Sequence, residues 1–242
     1  MTAPVAVVTG GSRGIGAAVC RRLAADGWDV VVGYRGDVDA AEDVAAEVRS
    51  TDGRRALAVR ADVTDEAQVA ALLDAADGFG PVAGLVTSAG AASVVGRLED
   101  LPVDGIRRDL ELDLLGTLLP IRAAIPLLRA TRGAIVTISS GAATLGSAGE
   151  FVHYAAAKAG VDALTVGLSK ELADDGIRVN AVAPGLVNTG FHLDPGRPAR
   201  IAPTVPMRRA GEPGEIAAAV AWLLSPEASY TTGAILRVAG GR

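Results

Sequence analysis

The sequence predicts an α/β chain folded around one doubly wound parallel sheet of about seven strands, with helices on both faces. Three observations carry that expectation. Short β-branched runs alternate with longer Ala- and Leu-rich amphipathic stretches from one end to the other, a repetition that gives parallel strands joined by right-handed crossovers. Several of the short runs are apolar throughout, as strands covered on both faces are. No internal repeat and no Pro- or Ser-rich linker divides the 242 residues, so one domain is expected over 1–242.

The first strand candidate is Val5–Thr9, which ends at Gly10-Gly11. Asp29–Gly33, Ala56–Arg60, Gly84–Thr87, Ala134–Ser139, Arg178–Ala183 and Ala234–Val238 follow. Helices are expected between them, over Ile15–Asp26, Val38–Ser50, Glu66–Asp77, Val103–Arg129, Phe151–Asp174 and Gly214–Leu224. From Leu186 to Gly211 there is no clear period, but Pro195, Pro198, Pro203 and Pro206 interrupt the chain. A loop of this length in a compact domain is expected to be a lid or binding loop; a disordered insertion is the alternative.

Composition excludes several classes. Half the residues are hydrophobic and 21% are charged, which is not a disordered composition. Cys20 is alone, which excludes a disulfide framework and a Cys-rich metal site and suits a reducing compartment. His153 and His192 are the only histidines and lie far apart, so no metal site is expected. A net charge of −5 argues against nucleic-acid binding. The N-terminus lacks the basic start of a signal peptide, and the uncharged stretch from Gly133 to Gly149 is full of Gly, Ser and Thr. A soluble, cytoplasmic protein without a membrane partner is therefore expected.

The turn Thr9-Gly10-Gly11-Ser12-Arg13-Gly14-Ile15-Gly16 joins the first strand to the first helix. Glycine lets a phosphate approach the backbone, and the helix N-terminus offers it free N–H groups and a positive dipole end. Neither common phosphate motif fits as written. Gly11 and Gly16 have Walker A spacing, but Ala17-Ala18 stand where Lys and Ser/Thr belong, and G-x-G-x-x-G is not met. Gly10 to Gly14 does match the G-x-S-x-G hydrolase elbow, which would need Ser12 as nucleophile with His153 or His192. Its place after the very first strand, and the better use for Arg13 given below, weigh against that alternative.

Tyr154 and Lys158 stand four apart on an expected helix, so they share a face. With three Tyr and two Lys in the chain, chance gives this spacing about 0.025 times. A phenol with pKa about 10 is a poor base near neutral pH, and a nearby ammonium is expected to lower it. Such a phenol gives a proton to a substrate oxygen, or takes one, as hydride moves. Ser139-Ser140 ends the fifth strand, at the sheet edge where open α/β folds bind ligands.

These motifs resemble the short-chain dehydrogenase/reductase family, in particular ketoreductases of the 3-oxoacyl-[acyl-carrier-protein] reductase kind, and the resemblance runs through the whole chain. Thr-Gly-x-x-x-Gly-x-Gly at 9–16 is similar to the family's cofactor turn, and Tyr154-Ala155-Ala156-Ala157-Lys158 to its Tyr-x-x-x-Lys. Asp62-Val63 resembles the adenine-contacting pair, Ser88-Ala89-Gly90 the usual Asn-Ala-Gly, and Pro184-Gly185 with Val187 and Thr189 the segment that holds the nicotinamide carboxamide. The resemblance implies a Rossmann-type fold and a nicotinamide cofactor held by Gly10, Ser12, Arg13, Gly14, Ile15, Gly16 and these later segments, with Lys158 on the ribose. It implies Tyr154 as acid/base, with Ser140 on the substrate carbonyl. Ser140 lies 14 residues before Tyr154 where relatives have 13, which implies one inserted residue between Gly146 and Tyr154.

Two positions depart from the family pattern. Ser88 replaces an asparagine of mainly structural use, a change expected to be tolerated. Asp113 replaces the asparagine of a proton relay that works mainly through its main chain. Asp113 keeps the carbonyl and nearly the shape but adds a possible negative charge, so tolerance and a slowed relay both stay open.

The cofactor expected is NADP(H) rather than NAD(H). An NAD site places an acid at the end of the second strand, whereas this strand ends Val32-Gly33-Tyr34-Arg35, with Asp37 only later. Arg35 and Arg13 present guanidinium forks suited to a 2′-phosphate. The expected reaction is hydride transfer between nicotinamide and a small carbonyl or alcohol. A regulatory cofactor-binding protein, or a family member turned to epimerisation or elimination, are the alternatives. Ala91–Leu101, Gly146–His153 and the 186–211 loop are expected to line a pocket poorly suited to a strongly anionic small substrate. The resemblance further implies a homotetramer, or a homodimer, built on the Tyr154 helix.

Overall fold

In a computed structural model that describes residues 2–191 and 193–242, seven parallel strands form one sheet in the order β3-β2-β1-β4-β5-β6-β7. They are β1 (Val5–Thr9), β2 (Asp29–Tyr34), β3 (Ala56–Arg60), β4 (Val82–Thr87), β5 (Ala134–Ile138), β6 (Arg178–Pro184) and β7 (Ile235–Val238). β1 and β5 are buried at every residue, which is why their sequences are apolar without alternation.

Helices cover both faces. On one lie α1 (Gly14–Ala25), α2 (Val38–Ser50) and α9 (Pro213–Leu224), which pack Leu23, Val44 and Leu223 with the strand residues Val8, Val32 and Val136. On the other lie α3 (Glu66–Phe79), α5 (Gly116–Thr131) and α7 (Val152–Glu171), around Leu72, Leu85, Leu128 and Ile135. Asp37 and Asp65 cap α2 and α3 by accepting main-chain N–H groups. Each fully buried Leu or Ile of these two cores contributes about 1.5–3 kcal/mol.

The stretch expected as one helix over Val103–Arg129 is divided. α4 (Val103–Leu110) passes into a π-helical turn, Glu111–Leu115, before α5 begins. A π turn adds one residue to the ring of the backbone bond, a change that apolar spacing does not register. Two short helices also went unforeseen: α6 (Ala142–Leu145), and α8 (Arg197–Ile201) within the proline-rich loop. The described residues of that loop form a folded excursion. Its ends are pinched by a bridge between Val187 and Gly211, with Asn188 N–H donating to the Gly211 carbonyl at 2.9 Å. Leu186, Val205 and Ala210 form a small core of their own beneath it.

Replacing Leu23 by Ala should lower unfolding free energy by about 2–5 kcal/mol in urea melts, since its fully buried side chain joins α1 to the sheet.

Candidate active site

β1 and β4 are neighbours, and the chain leaves them on opposite sides of the sheet, which opens a crevice beyond their carboxyl ends. Thr9 Oγ1 bridges the two exits by accepting the N–H groups of Ser88 at 3.2 Å and Ala89 at 3.4 Å. Gly10 follows at φ +64°, and a Cβ there would stand 2.8 Å from Ala89 Cα. Gly16 abuts the Gly10 carbonyl, so a side chain there would strike main chain. Arg13 begins α1 without a side-chain cap, which leaves the first-turn N–H groups and the dipole end open to an anion.

The cleft measures about 890 Å³, within the range of ligand-binding clefts. One end holds Gly10, Ser12, Arg13, Gly14, Ile15, Tyr34 and Arg35; the other holds Ser140, Tyr154, Phe151, Phe191, Leu145 and Leu193. Val63, Ser88, Ala89, Gly90, Lys158, Pro184, Gly185, Val187 and Thr189 line it as well. Three of the residues singled out in the sequence do not reach its wall. Gly16 serves the turn's packing. Asp62 accepts the Thr64 hydroxyl at 2.7 Å and lies 4.0 Å from Arg35. Asp113 sits behind Gly90, where a Cβ would come within 2.6 Å of its Oδ1.

α7 presents Tyr154 and Lys158 one turn apart, both buried. The phenol ring packs edge-on to Phe151, with centroids 5.6 Å apart, and against Phe191 at 5.5 Å. Lys158 Nζ lies 5.6 Å from the Tyr154 ring centre, donates to the Ile138 carbonyl at 3.1 Å, and pairs with Asp113 Oδ1 at 3.2 Å. The Asp113 main-chain carbonyl accepts the Thr117 hydroxyl at 3.0 Å.

The electrostatics differ from the simple expectation of a phenol lowered by its lysine. Burial pushes the Tyr154 phenol above its ordinary value; Lys158 and the Ser140 hydroxyl pull it down, Asp113 pushes it further up, and the upward causes prevail. Burial likewise raises the Asp113 carboxyl against the pull of Lys158. Burial lowers the Lys158 ammonium, but Asp113 and Tyr154 more than offset this and hold it above its ordinary value.

A second buried pair stands one turn away. His153 Nε2 meets Asp109 Oδ2 at 2.9 Å, and the two Asp109 oxygens also accept the Ser93 N–H at 3.0 and 2.9 Å. His153 is thereby committed to α4 and offers nothing to Ser12. The hydrolase alternative would need His192, which lies outside the described residues. The sequence carried a signal for this pair, since Asp109 and Asp113 are four apart and so share a face. Arg197 was also missed. It lines the cleft from α8, pairs with Glu150 at 2.5 Å and lies over the Phe151 ring at 5.2 Å.

The comparisons with known proteins agree with this geometry. A family model described as enoyl-(acyl carrier protein) reductase matches residues 10–242. A short-chain dehydrogenase/reductase from Serratia marcescens is 36% identical, covers 98% of this chain and 97% of its own, and superposes with a TM-score of 0.92. The chain is a member of the short-chain dehydrogenase/reductase family. The cis-4-hydroxycyclohexanecarboxylate dehydrogenase of Sinomonas cyclohexanicum is 47% identical over 98% of this chain and 95% of that protein. A blue fluorescent protein from a metagenomic library, solved in complex with NADPH, is 35% identical with a TM-score of 0.89, over 98% of this chain and 97% of that one.

This dehydrogenase/reductase accordingly uses a nicotinamide cofactor, and its residues fit one. The glycine cradle leaves the backbone bare where a pyrophosphate must approach, and the uncapped start of α1 faces it. Asp37 lines the cleft as well, but its carboxylate caps α2, accepting the Ala40 N–H at 3.1 Å. Among the described residues Arg13 has no acidic partner. No group of His, Cys, Asp and Glu there has the makings of a metal site, and no helix is long and apolar enough to cross a membrane.

Asp109→Ala should leave the Ser93 N–H and His153 unpaired, lowering unfolding free energy by about 1–3 kcal/mol. An unchanged denaturant midpoint would show that the carboxylate does not hold them.

Proposed function

We propose that this enzyme is an NADP(H)-dependent ketoreductase, moving hydride between nicotinamide and a carbonyl or secondary alcohol within one catalytic domain over 1–242. The observation that carries the reading is the shared cleft. Ser140, Tyr154 and Lys158 stand at one end of a groove whose other end is a glycine cradle flanked by Arg13 and Arg35. When bound, the nicotinamide supplies or accepts the hydride at the carbonyl carbon. Tyr154 Oη gives its proton to the carbonyl oxygen in reduction and takes it back in oxidation. Ser140 donates a hydrogen bond to that oxygen, and Lys158 stabilises the phenolate left behind. Arg13 and Arg35 clamp the 2′-phosphate, a reading supported by the neighbour solved with NADPH.

Leu145, Phe151, Phe191 and Leu193 make the substrate end apolar, under the cover of the 186–211 loop. Such walls suit a ketone or alcohol borne on a ring or alkyl body, in keeping with the ring, though not the carboxylate, of the hydroxycyclohexanecarboxylate in one relative's name. A homotetramer is proposed as well. Leu110, Leu115 and Leu118 on α4–α5 and Val166 on α7 are exposed apolar side chains that a second copy would cover.

Tyr154→Phe should reduce kcat at least about 100-fold while the protein still binds NADPH. Turnover of an enoyl thioester with none on any ketone or alcohol would overturn the ketoreductase reading. Arg35→Ala should reduce the NADPH-over-NADH ratio of kcat/KM by about 10-fold or more. Equal kcat/KM for the two cofactors in the parent enzyme would refute the preference.

A further inference from the structure

We infer that Asp113 is a positioning residue that neutralises Lys158 from behind Gly90 and so keeps Tyr154 in its proton-bearing form, the form that carbonyl reduction requires. The inference rests on the reading of Tyr154 as the acid/base. Its basis is the geometry of a buried pair. Asp113 Oδ1 lies 3.2 Å from Lys158 Nζ, and neither side chain is more than 5% exposed. Gly90 leaves open the gap through which they meet, since a Cβ there would stand 2.6 Å from Asp113 Oδ1 and 3.4 Å from Lys158 Nζ. The π-helical turn Glu111–Leu115 supplies the carboxylate at this point.

The charges around the phenol reinforce the effect. From α4 and the π-helical turn come Asp109 and Asp113; from α7 come His153, Lys158 and Asp162. His153 is engaged by Asp109, and the half-buried Asp162 adds a second carboxylate that favours the charged lysine. Arg237 of β7 acts on Asp162, and Glu150 and Arg197 form their own pair beyond Phe151. Ser140 reaches the phenol as an uncharged hydroxyl. Among the described residues Lys158 is therefore the one cation directed at Tyr154, and a carboxylate already holds it. An asparagine at 113 would remove the carboxylate and leave the Lys158 charge free for the phenolate. The proton would then leave Tyr154 at a lower pH, because the unneutralised cation favours the deprotonated form.

The test compares pH profiles of kcat/KM for the parent enzyme, Asp113→Asn and Asp113→Glu, in alcohol oxidation and carbonyl reduction. Oxidation needs the deprotonated phenol, so in Asp113→Asn its acid limb should move down by about one unit, a roughly 10-fold gain at pH values on that limb. The alkaline limb of reduction should move down with it. Asp113→Glu, which keeps the charge, should stay within a few tenths of a unit of the parent. Coincident limbs in Asp113→Asn and the parent, with Tyr154→Phe inactive, overturn the inference and leave the acid/base reading standing. Full activity in Tyr154→Phe overturns that reading instead. A second readout separates burial from the carboxylate. Ring-labelled Tyr154, followed by nuclear magnetic resonance, should titrate lower in Asp113→Asn than in the parent, and equal midpoints overturn the inference.

Discussion

The parting of β1 from β4 is the constraint on which the remaining structure depends. The two strands lie side by side, yet the chain leaves β1 towards the face of α1 and leaves β4 towards the face of α5. The gap between those exits is held to hydrogen-bond length by Thr9 and to van der Waals contact by Gly10 against Ala89. The middle of the cleft wall hangs from this parting. The glycine cradle leads out of β1, the Ser88–Gly90 segment out of β4, and Ser140 stands just past the end of β5.

Much of this was legible in the sequence because it is local. Apolar runs report strands buried on both faces, and a four-residue interval reports a shared helix face whatever the tertiary structure. Tyr154, Lys158 and the glycine turn were read on that basis, and the structure brings them into one cleft. What escaped is set by contacts distant in sequence or by backbone details without a periodic trace. The π-helical turn is of the second kind. The Asp109–His153 pair, 44 residues apart, and the placement of Arg197 over Phe151 are of the first. The net direction of the Tyr154 shift is hidden for the same reason. Sequence shows the lysine beside the tyrosine, but not the depth of burial or the carboxylate on the lysine's far side.

The interface between α4 and α7 is accordingly more than packing. Two acid–base pairs cross it, each buried, each tying a residue of the π-turn region to the helix that carries Tyr154. Buried ion pairs contribute little net stability compared with apolar packing, but removing one partner is costly because the other is left uncompensated. Both contacts tie α7 to α4 and the π-helical turn beside it. Ser93, bonded to Asp109, extends the same tie to the segment above the cleft.

The pinch between Val187 and Gly211 bears on how much the loop can vary. Because the excursion closes on itself at its base and carries its own small core, its length and composition can change with only a slowly growing entropic cost. Pro184 and Gly185, on the strand side of the pinch, keep their places as this happens. The cleft wall is thus of two kinds, with Leu145 and Phe151 fixed outside the excursion and Phe191 and Leu193 carried on it.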